Sequence, residues 1–75
     1  MKNESMLTKV DSEKNYELKL MDGSIWSINP FDIPTVTIWL PTSTIQIIEK
    51  NDGNMYNYEL INLNTKQSVR GMRIK

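Results

Sequence analysis

From Tyr16 to Ile74 apolar and polar side chains change places at almost every step. Tyr16, Leu18 and Leu20 alternate with Glu17 and Lys19; Val36, Ile38 and Leu40 alternate with Thr37 and Trp39; Ile45 and Ile47 flank Gln46. A period of two is that of a strand with one buried face. Turn formers separate the runs: Asp22-Gly23, Pro30 and Pro34, Pro41-Thr42-Ser43, Asn51-Asp52-Gly53-Asn54 and Asn64-Thr65-Lys66. The pattern predicts six strands, or five if the second arm of the first hairpin runs on as one bent strand. Their short links require no helix. The expected fold is therefore all-β, a small antiparallel meander barrel of SH3-like or OB-like size.

Register can be argued for the first hairpin. A two-residue Asp22-Gly23 loop would pair Leu20 with Ile25 and leave Trp26 and Ile28 opposite the leucine row. A three-residue loop, Met21-Asp22-Gly23 with Gly23 left-handed, pairs Leu20 with Ser24 and Leu18 with Trp26. Only the second gathers the apolar residues on one face, so it is expected. Pro30 and Pro34 make 29–34 a loop or a single helical turn. The next strand is predicted over Thr35–Leu40, with Val36, Ile38 and Leu40 inward and Thr35, Thr37 and Trp39 outward. Thr44–Glu49 follows with Ile45 and Ile47 inward. Met55–Leu63 places Tyr56, Tyr58 and Leu60 in one row but Ile61 and Leu63 in the other, which predicts a bend or bulge. In Gln67–Ile74 a bulge at Gly71 would turn Val69, Met72 and Ile74 inward, and Arg70, Arg73 and Lys75 outward. Residues 1–14, where Met6, Leu7 and Val10 show weak helical spacing, are expected to be a flexible tail or a short helix covering one end. Residues 15–75 form the barrel domain.

Composition narrows the function. Seventy-five residues make one domain, and a chain of this size buries only roughly 60% of its unfolded surface. There is no cysteine and no histidine, so disulfides, a zinc staple, thiol nucleophiles and the commonest general base are all missing. No catalytic residue, metal site or cofactor is expected. Asp32, beside Ser27 and Thr35, reads as a turn cap, and Asn51–Asn54 as a hairpin tip without the ligand spacing of a calcium loop. Nine basic residues balance nine acidic ones, which argues against binding driven by nucleic-acid phosphates. No apolar run approaches the ~20 residues of a membrane span. A complete chain would be cytoplasmic, and one relieved of an export signal periplasmic or secreted.

Two surface features invite a partner. Trp39 sits among threonines opposite an apolar row, either as an anchor for another protein or as the cover of a minor cluster with Ile48 or Phe31. Arg70, Arg73 and Lys75 would form a basic stripe on the last strand, able to meet phosphates or to guard an edge.

The run Leu20-Met21-Asp22-Gly23-Ser24-Ile25-Trp26, then Trp39-Leu40-Pro41, then Leu60-Ile61-Asn62-Leu63-Asn64-Thr65, resembles a group of small bacterial proteins. Their pattern is DGS-x-W, W-x-P-G-D and L-x-N-x-D-T-G. The resemblance spans about residues 16–74 and implies a small β-barrel, exported in several members. Thr42-Ser43 stands where the group has Gly-Asp, and Lys66 where it has Gly. The resemblance carries over no catalytic residue.

The expected function is thus a non-enzymatic barrel acting as a protein-interaction, accessory envelope or regulatory module, with Trp39, Phe31, Thr35 and Thr37 as its contact surface. The alternative is a single-stranded nucleic-acid binder using Tyr56, Tyr58 and the basic stripe. A homodimer through the edge of the strand at 44–49, with Ile48 outward, is a further expectation.

Overall fold

A computed structural model describes residues 3–75. Six strands close into one antiparallel barrel: β1 (Glu4–Asp11), β2 (Glu17–Leu20), β3 (Ile25–Ile28), β4 (Thr44–Glu49), β5 (Tyr58–Asn62) and β6 (Gln67–Arg73). Their order around the barrel is β1-β2-β3-β6-β5-β4. It consists of two three-stranded meanders, joined by the long connection 29–43 and sealed along β1–β4 and β3–β6. The all-β barrel read from the sequence is present, but its strands are not all the predicted ones.

The first hairpin takes the three-residue loop. Leu18 pairs with Trp26 and Lys19 with Ile25, the Leu20 amide donates to the Ser24 carbonyl at 3.0 Å, and Gly23 has φ +90°. A side chain would be strained at that φ, which accounts for the glycine. Strand β4 also follows its prediction, with Ile45 buried and Ile47 packed against the core.

The N-terminal segment differs. Of the predicted tail or helix, residues 1 and 2 lie outside the described residues, and Glu4–Asp11 is strand β1, bonded to both β2 and β4. Its register jumps between Leu7, opposite Leu20, and Lys9, opposite Lys19. This bulge adds one residue, so Leu7 and Val10 meet Leu20 and Leu18 on the same face although they are three apart. The apparent helical spacing is the signature of a bulged strand.

Connection 29–43 holds the opposite error. The strand predicted over Thr35–Leu40 is absent. Pro30–Asp32 is a 3-10 turn and Ile33–Val36 a single helical turn, α1, with Pro34 in its first turn, where a missing amide costs nothing. The Thr37 amide reaches the Ile33 carbonyl at 3.1 Å and the Trp39 amide the Val36 carbonyl at 3.0 Å. Spacing by three puts Val36 and Trp39 on one side, and both are core residues. Ile38 and Leu40, expected inward, are exposed, while Trp39, expected outward, is 3% exposed.

Two predicted bulges are also missing. Strand β5 pairs in unbroken register with β4 from Ile45–Asn62 to Glu49–Tyr58, and with β6 from Asn62–Gln67 to Tyr58–Gly71. The inward row of β5 is Tyr58, Leu60 and Asn62, the last a fully buried polar residue. Ile61 and Leu63 simply face outward. Gly71 is likewise in register, opposite Tyr58 and Ile28. A Cβ there would stand 3.0 Å from the Ser27 carbonyl oxygen and 3.2 Å from the side chains of Ile28 and Leu60. Close packing of backbone, not a bulge, explains this glycine.

The core is Leu7, Leu18, Leu20, Trp26, Ile28, Val36, Trp39, Ile45, Leu60 and Val69. Each large member contributes about 1.5–3 kcal/mol of burial.

Candidate functional site at the barrel mouth

Antiparallel strands bring alternate chain ends to each end of the barrel, and the two ends are built differently. The base receives connection 29–43, whose Val36 and Trp39 enter the core. Three contacts hold it there: the Trp39 indole Nε1 donates to Gln67 Oε1 at 2.9 Å, Asp32 Oδ2 accepts the Arg70 amide at 2.9 Å, and the Asn29 amide donates to the Arg70 carbonyl at 2.9 Å. Asp32 thus pins the connection to β6 and, contrary to its reading from the sequence, does not cap its own turn; that cap is Asn29, whose Oδ1 accepts the Phe31 amide at 3.1 Å.

The other end is open. A recess of about 390 Å³ lies between Asn3, Glu4, Asp22, Trp26, Ile47, Glu49, Tyr58 and Arg73. Several of these are the last members of inward rows: Ile45 and Ile47 lead to Glu49, Leu60 leads to Tyr58, and Val69 and Gly71 lead to Arg73. Tyr58 meets Trp26 edge-on, with ring centroids 5.0 Å apart and planes at 72°. The Arg73 guanidinium lies 5.9 Å from the centre of the Trp26 ring, within cation–π range.

A hydrogen-bonded chain fixes this floor. The Trp26 indole Nε1 donates to Ser24 Oγ at 2.8 Å, and the Ser24 hydroxyl donates to Asp22 Oδ1 at 2.6 Å. The same carboxylate oxygen accepts the Ser24 amide at 2.9 Å. These bonds from Ser24 hold the Asp22 carboxyl below its ordinary range, with the charge of Arg73 adding to the effect. The Asp22-Gly23-Ser24-Ile25-Trp26 run is thus one structural unit, in which the turn satisfies a buried indole. The Asn62 run works similarly at the base: Asn62 Oδ1 accepts the amides of Asn64 at 2.9 Å and Thr65 at 3.2 Å.

The sequence-predicted contact surface is not assembled as expected. Trp39 is core. Phe31 is 92% exposed, Thr35 is half-buried, and Thr37 is exposed with its hydroxyl bonded to the Pro34 carbonyl at 2.8 Å. Ile38 and Leu40, read as core, are exposed and line a shallow hollow at the base with Asn64 and Thr65.

The basic stripe is dispersed as well. Without a bulge, Arg70 and Arg73 fall on opposite faces of β6. Arg70 is held by Asp52 at 2.8 Å and by the Tyr56 carbonyl at 3.0 Å, and this pairing lowers the Asp52 carboxyl below its usual range. Arg73 belongs to the mouth, and Tyr58 is packed against Trp26. Tyr58 and Arg73 thus both line the mouth, whereas Arg70, bonded to the Tyr56 carbonyl and to Asp52, lies on the opposite face of β6, so the predicted stripe does not form one surface. The edge-strand dimer loses its footing too, because β4 bonds to β5 on one side and, over Thr44–Gln46, to β1 on the other. The Ile47 amide extends that second seam to the Asn3 carbonyl at 2.7 Å.

Among the described residues no group of acidic side chains is arranged to hold a metal ion, and no helix is long and apolar enough to cross a membrane. Sequence reasoning missed the mouth, although one signal pointed to it: the inward parity of Ile45 and Ile47 continues to the charged Glu49. Comparison with known proteins gives no match, whether to family models, curated proteins or solved structures.

Proposed function

We propose that this chain is a non-enzymatic interaction barrel, an accessory envelope or regulatory module whose partner is another protein. The supporting observation is the composition of connection 29–43. Val36 and Trp39 anchor it in the core, while Phe31, Ile38 and Leu40 on the same connection stand exposed. Large apolar side chains presented on an anchored loop suit a protein surface, because the loop loses little freedom on binding. The contact surface is therefore Phe31 with Ile38 and Leu40, rather than Phe31 with Trp39.

The test is affinity capture from the source lysate with the wild type and with an Ile38→Ser/Leu40→Ser variant. Both substitutions are at exposed positions, and folding stability should change by no more than about 0.5 kcal/mol. A protein retained by the wild type and lost by the folded variant supports the reading. An unchanged set of captured proteins overturns it.

A further inference from the structure

The barrel mouth carries a different inference, independent of the partner surface. Inward rows of a small barrel are expected to be apolar, since they face the core. Here two of them end in opposite charges, Glu49 on β4 and Arg73 on β6. Tyr58, on β5 between them, stands directly opposite Glu49. Strands two apart are separated by roughly 10 Å.

Charges so placed could pair with each other, yet among the described residues neither Glu49 nor Arg73 makes an ion pair. The ion pairs present are Lys19–Asp11, Lys50–Glu59 and Arg70–Asp52, all outside the recess. Arg73 instead lies over Trp26 and bonds through Nε to the Lys75 carbonyl at 3.2 Å. Among the described residues its terminal nitrogens make no hydrogen bond, and the side chain lines the recess.

We propose that the mouth binds a small zwitterion of the amino-acid class. Glu49, aided by Glu4, takes the ammonium; Arg73 takes the carboxylate; Tyr58 lies beneath the carbon that joins them. Several features fit this ligand. The recess of about 390 Å³ has the size of a small-molecule site in a barrel mouth. Its floor is locked by the Trp26–Ser24–Asp22 chain, so little ordering accompanies binding. A guanidinium presents the planar fork that a carboxylate matches. Among the described residues Glu4, Asp22 and Glu49 face one Arg73, an acidic balance that prefers a basic amino acid to an acidic one.

The two indoles allow a direct test, since Trp26 floors the mouth and Trp39 lies at the base. Titration of the ¹⁵N-labelled protein with L-lysine at constant ionic strength should shift the Trp26 indole resonance saturably and leave that of Trp39 in place. L-glutamate should bind more weakly than L-lysine. Glu49→Gln and Arg73→Gln, each confirmed as folded by retention of both indole signals, should weaken L-lysine binding by about tenfold or more. Arg73→Lys should restore part of that loss. Absence of a saturable shift with L-lysine, L-arginine or glycine in the millimolar range would overturn the proposal. So would binding indifferent to both Gln variants. Putrescine, which lacks a carboxylate, binding as tightly as L-lysine would likewise exclude a zwitterion site.

Discussion

The base and the mouth close the same barrel by opposite means. At the base the chain folds over its own opening, inserts Val36 and Trp39, and fixes them through Gln67 and Asp32. At the mouth none of the described residues forms such a plug, and the inward rows end in Glu49, Tyr58 and Arg73. Backbone geometry divides the same way. The glycines with positive φ, Gly23 and Gly53, lie in connections at the mouth end, whereas Asn15, Tyr16, Thr42 and Lys66, also with positive φ, lie at the base. Non-glycine residues in left-handed backbone thus gather at the plugged end, and charged side chains line the open one.

That contrast can be broken most severely at Trp39. Trp39→Ala removes the plug and strands the Gln67 amide, and should cost about 3–5 kcal/mol in urea unfolding. The matching change at the mouth, Glu49→Gln, should stay within about 0.5 kcal/mol. Equal losses from the two would show that the ends do not divide the work in this way.

Relief of strain at the base sharpens the comparison. Thr42 has φ 73° and Lys66 φ 62°, and a β-branched residue is poorly tolerated there. Thr42→Gly should stabilise the protein by about 1 kcal/mol, the relief outweighing the added freedom of the unfolded chain. Lys66→Gly should give about half of that. A loss of stability in either variant would mean that the side chain contributes more than its backbone conformation costs.

The smallest effect belongs to acid at the mouth. The Asp22 carboxyl is depressed in the folded state by its bonds from Ser24, so folding favours the ionised form. Its contribution is complete above the unfolded value of about 3.9 and is lost as pH falls through the lower folded value. Urea midpoints from about pH 5 down to about pH 2 should therefore fall less steeply in Asp22→Asn than in the wild type. Parallel curves would show that the turn does not depend on the charge.

Legibility in the sequence followed the local backbone. The Met21-Asp22-Gly23 hairpin and β4 were readable because period two ran through them unbroken. The two misread segments mirror each other. A bulge near Thr8 gave strand β1 a spacing of three between Leu7 and Val10. Chance alternation of Val36, Ile38 and Leu40 gave a helical turn the rhythm of a strand. Pro30 and Pro34 marked that region as irregular, but only the tertiary fold decides which of its apolar residues enter the core. The mouth was harder still to read, since it gathers side chains from five strands and from the turn between β2 and β3.

The last strand has a consequence for biosynthesis. Strand β6 joins β3 on one side and β5 on the other, and without it the two meanders share only the β1–β4 seam. Until Arg73 has left the ribosome, the nascent polypeptide holds two unpaired sheet margins and cannot close its ring. Closure of the ring therefore waits for β6 to emerge, and until then the strands already made present unpaired margins that need shielding.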